Sequence, residues 1–184
     1  MLADAAPPPA LATTDQPPPS RFQQDALWQK AMEDGDDIDL ATLADREGAS
    51  GLLDAFEVGG QVGRTALAAM PFASDAPVAY RRLAQVVLLT KGDTQRGIVQ
   101  AVHGIASRPR SLREPVDEDG RAACAEALLR IAREDGALAT TRALAVSTLR
   151  LPAFAGLVKQ EQIPTGFDAP AASSSGHPRD PDVP

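Results

Sequence analysis

His103 and Cys124 are the residues best suited to acid–base or nucleophilic chemistry between residues 21 and 164. A histidine acts as a general base when a nucleophile or a carboxylate lies beside it, and the neighbouring sequence supplies neither. Cys124 shares a helical stripe with Leu128 and Ile131, which favours a buried structural thiol. Its place near a predicted helix start leaves a reactive thiolate as the alternative. If the protein is an enzyme, we expect a deep polar pocket around His103 or Cys124.

Two segments carry residue types that bind calcium or phosphate, but their spacing fits neither site. A calcium loop counted from Asp34 needs glycine at its sixth position and glutamate at its twelfth, where this chain has Asp39 and Asp45. The segment 60–65 (GQVGRT) has arginine where a phosphate loop has lysine. We therefore expect no metal and no cofactor. The acidic run should cap the next helix, and the glycines should form a tight turn between antiparallel helices.

Composition and charge restrict the function classes open to the chain. The protein has 184 residues, 43% hydrophobic and only 4% aromatic, so its core must consist largely of Ala, Leu and Val in closely packed helices. Its net charge of -7 argues against a nucleic-acid surface and against docking on anionic lipid, because both need clustered Lys and Arg. No segment approaches the roughly 20 apolar residues of a membrane span. The single cysteine cannot form an internal disulfide.

The apolar spacing is helical from residue 21 to residue 164, which we interpret as one domain. The expected helices span residues 22–33, 40–46, 51–58, 64–70, 77–91, 94–106, 119–134 and 139–151. The segments 1–20 and 165–184 are rich in proline, and we expect a disordered Pro-rich spacer and a disordered tail. No leader is visible at the N-terminus, so a cytoplasmic location is the default expectation. The cell envelope or secretion is the alternative if a leader has been removed.

Three of the expected helices contain an arginine followed by small apolar residues. The segments are RTALAAM from Arg64, RGIVQAVHGI from Arg96 and RALAVSTL from Arg142. The intervals between these arginines are 32 and 46 residues, which bracket the roughly 40 residues of some helical repeats. Such a unit cannot bury its apolar face alone and must stack on its neighbours. We interpret the extra length of the second interval, residues 107–118, as an inserted loop.

In these segments the chain resembles the HEAT-repeat family, whose second helix in each pair carries an arginine followed by Ala, Val or Leu at core positions. Ala66, Ile98 and Leu144 stand at such positions here. The resemblance covers roughly residues 39–151; the family's Asp-Val pair before the arginine is absent, and the repeats are unequal. It implies an all-α fold, a short right-handed HEAT-like stack of roughly seven to nine helices. An irregular α-helical domain without a superhelix is the alternative.

The predicted helix 94–106 has one polar and one apolar face. At about 100° per residue, His103 shares a face with Arg96 and Gln100, opposite Ile98 and Val102. This polar face is either a contact strip for a partner or an ordinary solvated surface.

The resemblance implies a non-catalytic protein–protein interaction module or scaffold, with the second helix of each pair lining the concave face. Candidate partner-binding residues are the repeat arginines, the polar face of the 94–106 helix and arginines of the inserted loop, namely Arg64, Arg96, Gln100, His103, Arg108, Arg110 and Arg142. The repeat arginines could instead lock adjacent repeats together. We expect another protein as partner and no nucleic acid. The alternatives are an acidic inhibitor or immunity-type protein that masks a basic partner, and an enzyme of unknown class.

Overall fold

The computed structural model describes residues 20–108 and 117–166, and all regular secondary structure in these ranges is helical. This part of the chain forms eight α-helices: α1 Arg21–Gln24, α2 Ala26–Glu33, α3 Asp37–Val58, α4 Gly60–Ala69, α5 Tyr80–Val87, α6 Gly92–Ser107, α7 Glu118–Arg133 and α8 Ala139–Leu149. Short 3-10 turns lie at Met70–Phe72, Ala76–Ala79, Pro152–Phe154 and Gln160–Gln162. The all-α prediction is confirmed. None of these helices is long and apolar enough to cross a bilayer.

Several predictions concern residues outside the described ranges. They include almost all of the expected spacer 1–20 and tail 165–184. They also include most of the expected inserted loop 107–118, and with it the candidate contact residue Arg110.

Two helices occupy the region where the sequence predicts one helix from residue 22 to residue 33. Asp25 has an extended backbone conformation between α1 and α2. Its carboxylate accepts hydrogen bonds from the backbone N–H groups of Leu27 and Trp28. An aspartate at this position satisfies donors that the first turn of a helix leaves unpaired, so a new helix starts here. Apolar periodicity continues across the break and therefore does not reveal it.

Helix α3 merges two predicted short helices across a kink at Gly48. Gly48 has φ +63°, a left-handed conformation that glycine adopts without a Cβ clash. The helix resumes at Ala49, whose N–H donates to the carboxylate of Asp75 at 2.8 Å. At the start of α3, the carboxylate of Asp36 accepts from the N–H of Asp39 at 2.8 Å. The prediction that the acidic run caps this helix is therefore confirmed.

Helix α5 is shorter than the predicted helix 77–91. A 3-10 turn replaces its beginning, and the α-helix ends after Val87. The carbonyl oxygen of Val87 is satisfied by side chains, because Thr90 and Gln95 both donate to it at 3.3 Å. Gly92 has φ +61°, but it opens α6 and does not cap α5.

The helices pack in consecutive pairs, α3 with α4, α5 with α6 and α7 with α8. Contacts also join α4 to α6 and α6 to α8, and we call these three helices the second layer. The first layer consists of α3, α5 and α7. Helix α5 packs against α7, and the turn Ala76–Ala79 joins α3 to both. All three arginine-led segments therefore lie in the second layer.

One apolar core connects the helices, and many of its side chains are alanine, as the composition predicts. The stripe predicted on α7 is confirmed, since Cys124, Leu128 and Ile131 are at most 2% exposed. Four of the aromatic side chains pack on one another in pairs. Tyr80 and Phe154 form an edge-to-face pair with ring centroids 5.8 Å apart.

Candidate partner-binding groove

A groove of about 690 Å³ separates α4 from the first half of α6. The end of α3, α4 and the turn after α4 line one side, and α6 lines the other. The apolar part of its lining includes Phe56, Leu67 and Pro71. Ligand-binding clefts in proteins have volumes of roughly 300–1,000 Å³ and are mostly apolar with a few polar groups. The groove therefore has the size and composition of a binding site.

Glycines account for the open space between the two helices. Gly60, Gly63 and Gly97 all line the groove, and none of them presents a side chain to fill it. A Cβ at Gly63 would lie 3.0 Å from the carbonyl oxygen of Phe56, so this glycine also permits α4 to approach α3 closely. Gly59 and Gly60 have φ +77° and +58° at the junction of α3 and α4. The turn predicted at the glycines of this segment is confirmed at Gly59 and Gly60, whereas Gly63 lies inside α4.

Two of the predicted contact residues, Arg64 and Gln100, line this groove from opposite sides. Both are exposed. None of the salt bridges within residues 20–108 and 117–166 involves Arg64. Its guanidinium, with five donors, is therefore available to a ligand at the groove.

Arg96 lies on the exposed face of α6, one helical turn before Gln100 and outside the groove lining. The predicted faces of α6 are confirmed at Arg96 and Gln100, which are exposed, and at Ile98 and Val102, which are at most 2% exposed. They are not confirmed at His103, which was predicted on the polar face and is half-buried. In the described part of the chain, no acidic side chain pairs with Arg96 either.

His103 is half-buried and joins α6 to α8. Its Nδ1 lies 3.0 Å from Oγ1 of Thr148, and that hydroxyl donates to the carbonyl of Leu144 at 2.7 Å. Because the Thr148 proton is already committed, the arrangement assigns the imidazole proton to Nδ1 and leaves Nε2 as an acceptor. Burial lowers the pKa of His103, so the ring is neutral at pH 7.

Arg108 and Arg142 both interact with neighbouring side chains. The guanidinium carbon of Arg108 lies 3.8 Å from the centroid of the Phe72 ring, a cation–π contact between the end of α6 and the turn after α4. One guanidinium nitrogen of Arg142 lies 3.5 Å from a carboxylate oxygen of Asp135, and the Arg142 side chain is 23% exposed. These two arginines thus contact parts of the same chain, unlike Arg64.

Cys124 is 1% exposed. Its thiol donates to the carbonyl oxygen of Tyr80, with an Sγ–O distance of 3.1 Å. Burial raises the pKa of the Cys124 thiol to about 12, so the thiol is neutral at pH 7. A neutral buried thiol is a poor nucleophile, and this one packs between α5 and α7.

Two of the acidic residues around the start of α3, Asp36 and Asp39, have local partners. Asp39 is 5% exposed, and its carboxylate lies 2.7 Å from Nζ of Lys30. The hydrogen bond that Lys30 donates to Asp39 raises the pKa of Lys30. In the described ranges, no group of three His, Cys, Asp or Glu side chains could hold a metal ion.

A second cavity, of about 310 Å³, lies among α1, α2 and α3, and its charged residues are largely paired. Arg46 donates to both carboxylate oxygens of Asp25, at 3.0 and 3.1 Å, and also to Glu47. The hydrogen bond that Arg46 donates to Asp25 lowers the pKa of Asp25. Trp28 donates from Nε1 to Glu47 at 3.2 Å. This network attaches the first two helices to α3.

The two layers differ in charge. Helices α4, α6 and α8 contain three arginines and one acidic residue, Asp93. Helices α3, α5 and α7 contain nine acidic and six basic residues. The second layer is therefore positive within a protein whose net charge is -7.

Most of the groove lining was not predicted from the sequence. Phe56, Pro71 and Asp93 belong to three separate elements. The apolar periodicity of the sequence does not indicate that these three residues line one groove. The one available signal was the glycine content of the two helices, at positions such as Gly63 and Gly97, where a helix normally disfavours glycine.

Comparison of the chain with protein-family models, with curated proteins and with solved structures finds no match. The resemblance seen in the arginine-led segments stays a prediction.

Proposed function

We propose that this protein is a non-catalytic interaction module that binds another protein through its second layer, at the groove between α4 and α6. The observation that carries this proposal is the combination of a 690 Å³ groove, an apolar lining and the unpaired guanidinium of Arg64. Protein interfaces gain most of their affinity from a few side chains that fill pockets, and arginine is enriched among them.

The proposed architecture is a right-handed HEAT-like stack of three helix pairs. The order of helix contacts supports it, because each second-layer helix packs against the next one along the chain. Arg64 and Arg96 are the fifth residues of α4 and α6, and Arg142 is the fourth residue of α8. Equivalent positions in successive repeats would produce this placement. The pairing of Arg142 with Asp135 suits a packing role, whereas Arg64 and Arg96 suit contact with a partner.

The surroundings of the two reactive residue types support a non-catalytic role. Nδ1 of His103 is committed to Thr148, which is neither an activated nucleophile nor a carboxylate. Cys124 is buried and neutral. Neither residue lines the groove.

Site-directed photocrosslinking in cells that make the natural protein tests this function. The full chain carries p-benzoylphenylalanine in place of Ala68, an exposed groove residue on α4. A second chain carries it in place of Arg130, which is exposed on α7 in the first layer. We expect a discrete protein adduct from position 68 and none from position 130.

Specificity in this experiment is judged by competition. Excess unlabelled wild-type chain should abolish the adduct, and excess R64E chain should not, because a glutamate at position 64 removes the guanidinium. Equal adducts from both positions, or an adduct that R64E abolishes as efficiently as the wild type, would contradict the proposed function.

A second candidate, an acidic inhibitor that masks a basic partner, is favoured by α3. This helix contains six acidic residues and one basic residue. Asp45 and Asp54 are exposed and form no salt bridge among the described residues. If this function is correct, D54K should weaken partner binding more than R64E does, and the crosslinking chain at position 68 should give no adduct.

A further inference from the structure

We propose that the groove between α4 and α6 binds a short linear segment of the partner, in which an acidic side chain adjoins an apolar one. The inference rests on the proposed function and assigns the chemistry of the partner. Three features support it: the charge at the groove, the apolar surface around it and the length of chain that it can hold.

The charge at the groove favours an acidic ligand. Helix α4 contains no acidic residue, and Arg64 is its only charged side chain. On the opposite side Asp93 lies in the first turn of α6, where the positive helix end offsets part of its charge. Arg64 and Asp93 do not form a salt bridge, so neither neutralises the other by contact. A carboxylate is the group that a guanidinium fork binds best among protein side chains.

The apolar surface favours a peptide over a free anion or a nucleic acid. Phe56, Leu67 and Pro71 line the groove. Two large apolar side chains are also exposed shortly before the groove-lining helices: Val58, the last residue of α3, at 47%, and Leu89, in the turn before α6, at 84%. Exposed apolar residues around a cleft mark sites of contact with apolar side chains, which a phosphate backbone does not supply.

The length of the groove fits a few extended residues. Its lining on α4 runs from Gly60 to Ala68, about 12 Å along the helix at ~1.5 Å per residue. An extended chain advances ~3.3 Å per residue, so about four residues span this distance. A segment of that length can place one carboxylate at Arg64 and one apolar side chain between Phe56 and Leu67.

The first experiment uses a displayed library of random dodecapeptides, selected against the immobilised full chain. We expect the enriched sequences to share Asp or Glu next to Leu, Ile, Val or Phe. A consensus with Lys or Arg, a consensus without an acidic residue, or the absence of enrichment would each overturn the inference.

The second experiment measures the binding of the synthesised consensus peptide by fluorescence anisotropy. R64E should weaken binding at least about tenfold, because it replaces attraction with like-charge repulsion. The matched control lies on the first layer: R130E makes the same charge change on α7 and should stay within about twofold of the wild type.

Amide NMR spectra of the full chain with the consensus peptide locate the site. We expect the largest shift changes at Gly60, Gly63 and Gly97, and smaller ones on α7. Shift changes confined to α3 or α7, or equal losses of affinity for R130E and R64E, would overturn the groove as the site. Stronger binding of oligothymidylate than of any selected peptide, with loss on R64E, would assign the groove to nucleic acid instead. Dimerisation of the wild-type chain that R64E abolishes would assign it to a second copy.

This inference and the proposed function fail in different ways. A position-68 crosslink that depends on Arg64 but is not competed by any acidic peptide would overturn the linear segment and keep the interaction module. The absence of both the crosslink and peptide enrichment would overturn both.

Discussion

Most arginines of the first layer form salt bridges within the protein, and most arginines of the second layer do not. In α3 and α5, Arg46 pairs with Asp25 and Glu47, and Arg82 pairs with Glu57. In the described second-layer helices, by contrast, Arg64 and Arg96 form no salt bridge, and among its arginines only Arg142 has an acidic side chain within 4.0 Å. The two layers have the same kind of helices and share one core, so the difference lies in their outer surfaces.

This difference indicates that the two layers have different roles. Ion pairs on an exposed surface contribute little to stability, typically up to about 1 kcal/mol each, but they do occupy the charges involved. A layer with unpaired arginines, small side chains and a groove leaves its charges available for another molecule. The whole-chain net charge of -7 does not reveal that the second-layer helices carry more arginines than acidic residues.

The largest expected effect tests whether the layers are one folding unit. Leu128 on α7 is 2% exposed in the shared core, and L128A should lower the free energy of unfolding by about 2–5 kcal/mol through lost burial and a residual cavity. Urea denaturation followed by circular dichroism measures this change. Native-state hydrogen exchange should show the same loss of protection in α4 as in α7. If protection falls in α7 alone, the two layers unfold separately and are independent folding units.

A smaller effect is expected where α6 approaches the turn after α4. A Cβ at Gly104 would lie 2.5 Å from Cγ of Pro71, so the proline ring or the helix must move. G104A should cost about 1–3 kcal/mol by overpacking, although alanine favours the helix. G136A is the control, because a Cβ there meets nothing within 4 Å. If both variants were equally stable, close backbone packing would not be what holds the second layer together.

The sequence predicted the helices better than it predicted the site. Apolar periodicity located the apolar part of each longer helix, because it records which side chains are buried, but it predicted α3 as two short helices. It missed the break at Asp25 and the early end of α5, since both depend on side chains that bond to particular backbone groups. The groove depends on which residues of α3, α4 and α6 meet, and a single sequence contains no record of such distances. Arg64 and Gln100 were predicted as contact residues from the repeat pattern and the polar face of α6, without the groove that joins them.

The comparison of paired and unpaired arginines is tested directly by matched substitutions. R46Q removes the hydrogen bonds to Asp25 and should lower the free energy of unfolding by about 1 kcal/mol. R64Q removes an exposed guanidinium that forms no salt bridge, and it should change the free energy of unfolding by less than about 0.5 kcal/mol. Denaturation midpoints of the two variants in the same buffer decide this. An R64Q variant that is as destabilised as R46Q would show that Arg64 serves the fold, and the division between the layers would not hold.

The smallest expected effect concerns pH and the contact between α6 and α8. Burial lowers the pKa of His103 in the folded protein, so the unfolded chain takes up a proton at a higher pH than the native state does. Stability should therefore be complete above the ordinary histidine pKa of about 6.5 and decrease as the pH falls below it. The hydrogen bond to Thr148 does not oppose protonation, because Nδ1 already carries its proton. Burial alone produces the effect.

Denaturation midpoints at about pH 7.5 and 5.5 measure this dependence. Carboxylates titrate mainly below this interval and thiols mainly above it, so histidine dominates the change. H103N keeps an N–H donor near Thr148 and loses the titration, so the variant should show a smaller decrease than the wild type over the same interval. An equal decrease in both proteins would assign the pH dependence to other groups. The joint between α6 and α8 would then be insensitive to pH, and the second layer would differ from the first in its unpaired arginines and its groove alone.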